Sequence, residues 1–424
     1  MSTDVDDRPV ADPSSPDPMP DNSLGGILRA YLDKLRGGEV GSLPAVLGLV
    51  ALVVVFSALR PEQFTNSFNF ANLIGQSAGV TVLAMGLVFV LLLGEIDLSA
   101  GFAGGTCAGV LGVFLTRHEW PLLPALLAAL ITGAVIGLLI GLLVARLGIP
   151  SFVVTLAAFL GLQGVLLTMI GEGGTIPYRN DFINGLNNSN LPVWLGWVLA
   201  VVCIVGYAAT TYVADARRRA KNLTVQPILL WALKTGLLTV VVLAVVGYLS
   251  VERSRNPALT SLKGVPVSLL VIVGLLILLS FVLTRTAWGR HVYAVGGNAE
   301  AARRAGINVF RVRLSCFVLC STMAAMAGIM IASRTNSVNP NTGGETTLLY
   351  AVGAAVIGGT SLFGGKGRVI DAVIGGTVVA VIDNGMGLLD QPQGTVWMVT
   401  GLVLLVAASV DALSRRRASA TGHV

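Results

Sequence analysis

The chain has 424 residues, 54% of them hydrophobic and 12% charged, about half the charged fraction of a soluble domain. Apolar runs of roughly 18 to 25 residues recur between Pro44 and Ala412, long enough to cross a bilayer as helices, which excludes a soluble enzyme and predicts an all-α, polytopic membrane bundle. The net charge of +6 does not call for nucleic acid, because membrane proteins gather Lys and Arg on cytoplasmic loops.

In chain order, residues 1–23 carry six aspartates and five prolines with no apolar run, and read as a disordered cytoplasmic tail and not a signal peptide. Residues 24–40 open with LGGILRAYLDKLR, where Leu28, Tyr31, Leu32 and Leu35 share one face of an amphipathic helix on the membrane surface. A transmembrane domain then spans 41–413, and 414–424 form a basic cytoplasmic tail. Hydropathy predicts about 12 spans, at 44–59, 71–93, 98–116, 121–145, 150–171, 192–213, 227–250, 266–284, 314–333, 346–363, 369–388 and 394–412. With both termini cytoplasmic, seven of the 28 Lys and Arg fall outside (Arg60, Arg117, Arg179, Arg253, Arg255, Lys263, Arg334) and Lys234 lies within a span, leaving 20 inside. The arginine-rich segments 217–221, 285–313 and 415–417 then all face the cytoplasm, as the positive-inside bias requires.

Glycines spaced by four, Gly101, Gly105 and Gly109 in one row and Gly137 and Gly141 in another, predict close helix packing in lipid. The four cysteines, Cys107, Cys203, Cys316 and Cys320, lie within apolar spans and read as small packing residues. His118, His291 and His423 have no metal-ligand spacing, and no cofactor is expected.

One segment interrupts the apolar pattern. Residues 285–313 carry six arginines around GGNAEAARRAGI. Gly296-Gly297-Asn298 reads as a turn, with Asn298 as a helix cap. Ala299 to Ala305 reads as a short helix exposing Arg303 and Arg304, stopped by Gly306. So short a helix is unstable alone in water. It reads as a knob docking into another protein; the alternative is a surface helix held to anionic membrane lipid by its arginines.

GGNAEAARRAGI resembles the cytoplasmic coupling segment of permease subunits in ATP-binding-cassette importers of the ribose/xylose type. GEIDLSAG, from Gly94 to Gly101, is similar to that family's G-x-I-D-L-S signature. AVIGGTSLFGGKGRVIDAVIGG, from Ala355 to Gly376, with Asp383-Asn384-Gly385 beyond it, resembles its C-terminal block. The likeness covers most of residues 66–412 and includes the longer xylose-type layout, with additional spans between the loop at 172–191 and the coupling segment. It implies a non-catalytic subunit of the bacterial inner membrane, acting as a homodimer with a separate ABC ATPase and an extracytoplasmic sugar-binding protein. It further implies that Gly297, Asn298, Glu300, Ala301, Ala302, Arg303, Arg304 and Gly306 contact the ATPase. Glu300-Ala301-Ala302 and Gly306 also spell the EAA-x-x-x-G core of the maltose-type loop, but the Ile-x-Leu-Pro tail is replaced by Cys316-Phe317-Val318-Leu319.

GTSLFGGKG invites a phosphate-loop reading, yet aligning Gly365-Lys366 puts Thr360 at the first glycine and Gly367 at the metal-binding hydroxyl. Membrane helices flank it, so ATP is expected to bind another chain.

Ionisable groups inside a bilayer are costly and mark function or capping. Lys234 is expected to snorkel to the cytoplasmic surface. Asp97 reads as a helix cap, or else as a gate or an ATPase contact. Glu345, Asp371 and Asp383, near span ends, are expected to face water. Gln76, Ser77, Thr81 and Asn384 are candidates to line a path for a sugar's hydroxyls, against the alternative that they bond neighbouring helices. The resemblance implies a monosaccharide cargo, xylose first. Alternatives are ribose, another sugar, an autoinducer or a branched-chain amino acid. An ion-coupled secondary transporter would favour paired intramembrane carboxylates or a clear repeat, and neither stands out.

Overall fold

The computed structural model describes residues 41–420 except 222, 224, 226, 255, 259 and 260, and only the backbone at 410, 411 and 413–420. The tail expected at 1–23 and the surface helix at 24–40 lie outside the described residues, as do 421–424.

Helices follow one another almost without interruption. The first group is α1 (Leu43–Leu59), α2 (Pro61–Phe64), α3 (Ser67–Leu92), α4 (Ala100–Gly112) with a π-helical extension (Val113–Arg117), α5 (Leu122–Ala145) and α6 (Ser151–Ile170). Then come β1 (Ile176–Pro177), α7 (Asp181–Asn188), α8 (Val193–Arg219), α9 (Ile228–Leu249) and α10 (Val267–Arg285). The chain closes with α11 (Ala287–Gly297), α12 (Ala299–Arg304), α13 (Val309–Thr335), β2 (Ser337–Val338), α14 (Glu345–Gly358), α15 (Val369–Leu388) and α16 (Gln393–Ala420).

Every apolar run read from the sequence forms a helix. Among the described residues, nine helices are long and apolar enough to cross a membrane: α3, α4 with its extension, α5, α6, α8, α9, α10, α13 and α15. Three apolar helices are shorter: α1, α14 and the Gln393–Ser409 part of α16. The run expected at 346–363 ends early, at Gly358. There Gly359 takes φ +117°, Thr360 N–H bonds to Ala355 O, and Gly359 N–H bonds to Val356 O. These are the two closing bonds of a left-handed helix stop, which releases the next segment as a loop.

Prolines set five of the starts. Pro121, Pro150, Pro192, Pro227 and Pro266 each precede a helix with φ between −52° and −56°. The ring supplies the fixed φ, and the missing N–H is not needed at a helix entrance.

The core lies around α3. In its most apolar stretch 83% of residues are buried, against 72% in α15, 61% in α13, 11% in α8 and none in α9. Helix α3 packs against α13, α14, α15 and α10, while α13 also contacts α5 and α4. The glycine rows do bring backbones together: a Cβ on Gly105 would lie 2.0 Å from Thr342 O, and one on Gly137 would lie 2.4 Å from Phe317 O. Cys107, Cys316 and Cys320 are buried free thiols. Helices α8 and α9 pair with each other, joined by Trp231 Nε1–H donating to Thr211 Oγ1 at 2.9 Å, and turn apolar side chains outward.

Candidate functional site

The segment 285–313 is built by consecutive caps. Thr286 Oγ1 accepts from Gly289 N and starts α11. Asn298 Oδ1 accepts from Ala301 N at 2.9 Å and starts α12; Asn308 Oδ1 accepts from Arg311 N at 3.0 Å and starts α13. Gly306 has φ +82°, with Ile307 N–H on Ala302 O and Gly306 N–H on Arg303 O, both at 3.0 Å. That pair of bonds is the full Schellman stop. The expected cap, short helix and glycine stop are therefore present at the residues named from the sequence.

Gly296 and Gly297 are a correction. They form the last turn of α11 and not a loop. Gly296 is there for close approach: a Cβ would fall 1.9 Å from Leu92 O at the end of α3.

Arg303 and Arg304 are exposed, with side chains 65% and 80% accessible, but both are paired. Glu300 accepts from Arg303 Nη1 at 3.0 Å and Arg304 Nε at 3.4 Å. One turn of helix thus carries a net single positive charge. Solvent-exposed pairs of this kind contribute only about 0.3–0.5 kcal/mol, so α12 is held by its neighbours. Ala302 is its buried residue.

The neighbours form a continuous seat. Trp288 Nε1–H donates to Ser315 Oγ at 2.7 Å on α13, and its ring lies 5.7 Å from that of Phe89 on α3. Tyr293 Oη donates to Gly367 O at 2.7 Å. Gly365 N–H donates to Leu92 O at 2.8 Å, and Arg313 Nε lies 3.5 Å from Glu95 Oε1. The loop 359–368, the end of α3 and the α11–α12 segment are thereby one unit. The glycine–lysine loop commits the Gly365 amide to the Leu92 carbonyl, and helices α14 and α15 flank it.

Asp97 is 1% exposed, and its Oδ1 accepts from Ser99 N at 2.9 Å and Ser99 Oγ at 2.6 Å. Ser99 itself is the cap residue of α4, so Asp97 braces the turn two residues ahead. Ser151 Oγ accepts from Ile96 N, and Thr155 Oγ1 donates to Ile96 O, tying this turn to α6.

The four path candidates separate. Asn384 Nδ2 donates to Gln76 Oε1 at 3.2 Å, across α15 and α3. Ser77 instead donates to Ile74 O in its own helix, and Thr81, 1% exposed, abuts Gly376. Around Gln76 and Asn384 lies a cluster that sequence reasoning missed. Asn69 and Asn384 exchange carboxamide bonds at 2.9 Å in both directions. Arg334 Nη2 donates to Asn72 Oδ1 at 3.1 Å. Tyr350 Oη lies 3.4 Å from Asp383 Oδ1, and Asn187 Nδ2 donates to Gly75 O and Met330 O at 3.1 Å. The missed signal was spacing: Asn69, Asn72 and Gln76 recur at three and four residues, one stripe of an apolar helix.

Of the acidic groups expected to face water, Glu345 is exposed in the first turn of α14. Asp371 is a correction: it is 2% exposed and closes a capping box with Arg368, its Oδ2 accepting from Arg368 N at 2.7 Å. Asp383 is also a correction, since it is partly buried and turned to Tyr350. Lys234 is exposed on α9. At the other end of α9, Glu252 accepts from Ser254 N, Leu262 N and Ser261 Oγ, and these bonds hold its carboxyl down to about 2.

The family described as branched-chain amino acid transport system / permease component matches residues 69–408. The xylose transport system permease protein XylH of Escherichia coli K12 is 34% identical over 372 residues, covering 88% of this chain and 92% of that protein. XylH of Haemophilus influenzae is 32% identical, covering 91% and 99%. The ribose import permease protein RbsC of Escherichia coli K12 is 30% identical, covering 90% and 96%. No solved structure matches. Apolar helices of spanning length and a family match along nearly the whole bundle lead to one conclusion: the chain belongs to the branched-chain amino acid transport system / permease component family of membrane permeases.

Proposed function

We propose that this chain is the membrane-spanning, non-catalytic subunit of an ABC importer in the bacterial inner membrane, and that its cargo is a monosaccharide, xylose first. The likeness to XylH along 88% of the chain carries this reading. It works as a homodimer with an ABC ATPase that binds Gly297, Asn298, Glu300, Ala301, Ala302, Arg303, Arg304 and Gly306. An extracytoplasmic sugar-binding protein delivers the cargo. The chain crosses the membrane 12 times with both termini cytoplasmic. Asp97 braces the cytoplasmic turn instead of gating.

In this mechanism ATP closes the ATPase pair and displaces α12. Because α11–α12 is seated on the end of α3, on α13 and on the loop 359–368, the displacement reaches the α3–α13–α15 bundle as a unit. The opposite ends of those helices then part to admit the sugar.

The test is uptake by vesicles holding this chain with its ATPase and binding protein. Labelled D-xylose should accumulate with ATP, be displaced by excess cold D-xylose, and not respond to collapse of the ion gradients. Accumulation of leucine or ribose in its place would change the cargo; dependence on an ion gradient without ATP would overturn the class. Orientation is tested by single cysteines at Phe182 and Arg218, both exposed, in a chain lacking the native four. An impermeant reagent should label 182 and spare 218 in intact cells.

A further inference from the structure

The bundle of α3, α13, α14 and α15 is joined differently along its length. Towards the coupling end, backbones meet where only hydrogen fits: a Cβ on Gly375 would fall 1.7 Å from Ala354 O, and one on Gly358 would fall 1.8 Å from Asp371 O. Those contacts have no partner to exchange. At the opposite end the same helices are joined by side chains whose bonds can be remade. Asn69, Asn72 and Gln76 lie within the first ten residues of α3, Asp383 and Asn384 within the last six of α15, and Arg334 is the penultimate residue of α13.

We propose that Asn69, Asn72, Gln76, Arg334, Asp383 and Asn384 form the outer gate of the translocation path and bind the hydroxyls of a neutral, polyhydroxylated solute when it opens. The chemistry fits that class. A carboxamide donates and accepts at once, as a sugar hydroxyl does, so the reciprocal Asn69–Asn384 pair can be replaced by four bonds to one vicinal diol, each hydroxyl donating to one Oδ1 and accepting from one Nδ2, without leaving an unpaired group. Asp383 supplies acceptors and Arg334 donors. With one acidic and one basic side chain among its amides, the cluster carries no formal net charge to attract an anion or a cation. Asn384 links the pair with Asn69 to Gln76, so one sugar entering between α3 and α15 meets three carboxamides together. The inference rests on the monosaccharide reading and adds the site.

The test uses the complete complex of permease, ATPase and binding protein in vesicles. In a chain freed of its four cysteines, Asn72→Cys is treated with an impermeant thiol reagent under ATP turnover. D-xylose delivered by the binding protein should slow labelling at least fivefold, and leucine should not. Separately, Gln76→Leu and Asp383→Asn should lower the sugar moved per ATP hydrolysed about tenfold. Damage to folding alone lowers uptake and hydrolysis together and leaves that ratio in place. Sugar-independent labelling of the Asn72→Cys variant, with an unchanged ratio in the other two, would overturn the proposal and make the cluster interhelical glue. If either of those two fails to reach the membrane, the other and the labelling decide. A wild-type complex that moves no monosaccharide refutes the functional reading itself; a wild type that does, with both readouts flat, refutes only the gate.

Discussion

The two ends of α3 are built from opposite materials. At Leu92 the helix meets Gly296 of α11 and Gly365 of the 359–368 loop through backbone atoms alone. At Asn69 to Gln76 it meets α13 and α15 through carboxamides and a guanidinium. Backbone contact without a Cβ has one geometry and resists deformation. Polar side-chain bonds in membrane bundles contribute only about 0.6 kcal/mol each, and can change partners. The lesson is a contrast of materials: a backbone-packed end and an end held by exchangeable side-chain bonds, which the proposed mechanism would use to receive force and to respond to it.

The sharpest way to break that contrast is to overfill the rigid end. Gly296→Leu drives four carbons into the Leu92 carbonyl, and overpacking of this kind costs about 1–3 kcal/mol or more. It should give the largest fall in Tm of the purified permease and release the ATPase. A stable complex formed by the Gly296→Leu variant would mean that the α3 seat is loose.

Next in size is damage to the knob without damage to the seat. Gly306→Val forces a β-branched residue to φ +82°, costing about 1–2 kcal/mol locally. Arg303→Glu with Arg304→Glu turns the Glu300 turn wholly acidic and should repel an acidic docking cleft. Membrane levels should stay near normal while co-purifying ATPase and uptake are lost. An ATPase retained by the double variant, with a new dependence on anionic lipid, would favour lipid anchoring.

At the labile end, Asn69→Leu with Asn384→Leu removes both members of the reciprocal pair and keeps their shape. Because each bond is weak and only Gln76 Oε1 and the Phe64 carbonyl lose a donor, Tm should move by only a few degrees, less than for Gly296→Leu. An equal loss of stability at both ends would erase the distinction.

The smallest effect belongs to the loop between α9 and α10. Glu252 has its carboxyl lowered from 4.5 to about 2. A depressed value means stabilisation that is present above pH 4.5 and lost as pH falls towards 2. The wild-type loop should resist pepsin at about pH 4 and yield near pH 2, whereas Glu252→Gln should be cut at both.

Much of this was legible in the residues. Hydropathy located every long apolar helix because a lipid-facing or buried span needs an unbroken apolar run, whatever it packs against; the short polar helices α2, α7 and α11 lay outside its reach. The capped segment 298–306 was legible for the same local reason: Asn298 and Gly306 act on their own turn, through a cap and a positive φ. Gln76 and Asn384 were picked out as polar groups in apolar helices, but Ser77 and Thr81 looked the same and stand apart from that cluster, Ser77 bonded within its own helix and Thr81 against Gly376.

What sequence alone determined is therefore what neighbours along the chain decide: membrane class, helix positions, the capped knob and the family its motifs resemble. Tertiary structure alone decided which polar groups meet. Asn69 and Asn384 are 315 residues apart, and no local rule pairs them. It also turned Gly296 from an expected turn into a contact surface, because a glycine's missing Cβ has meaning only when the partner, here Leu92 O, is in place. Local interactions can be read from spacing; contacts between distant segments depend on the packing that brings them together.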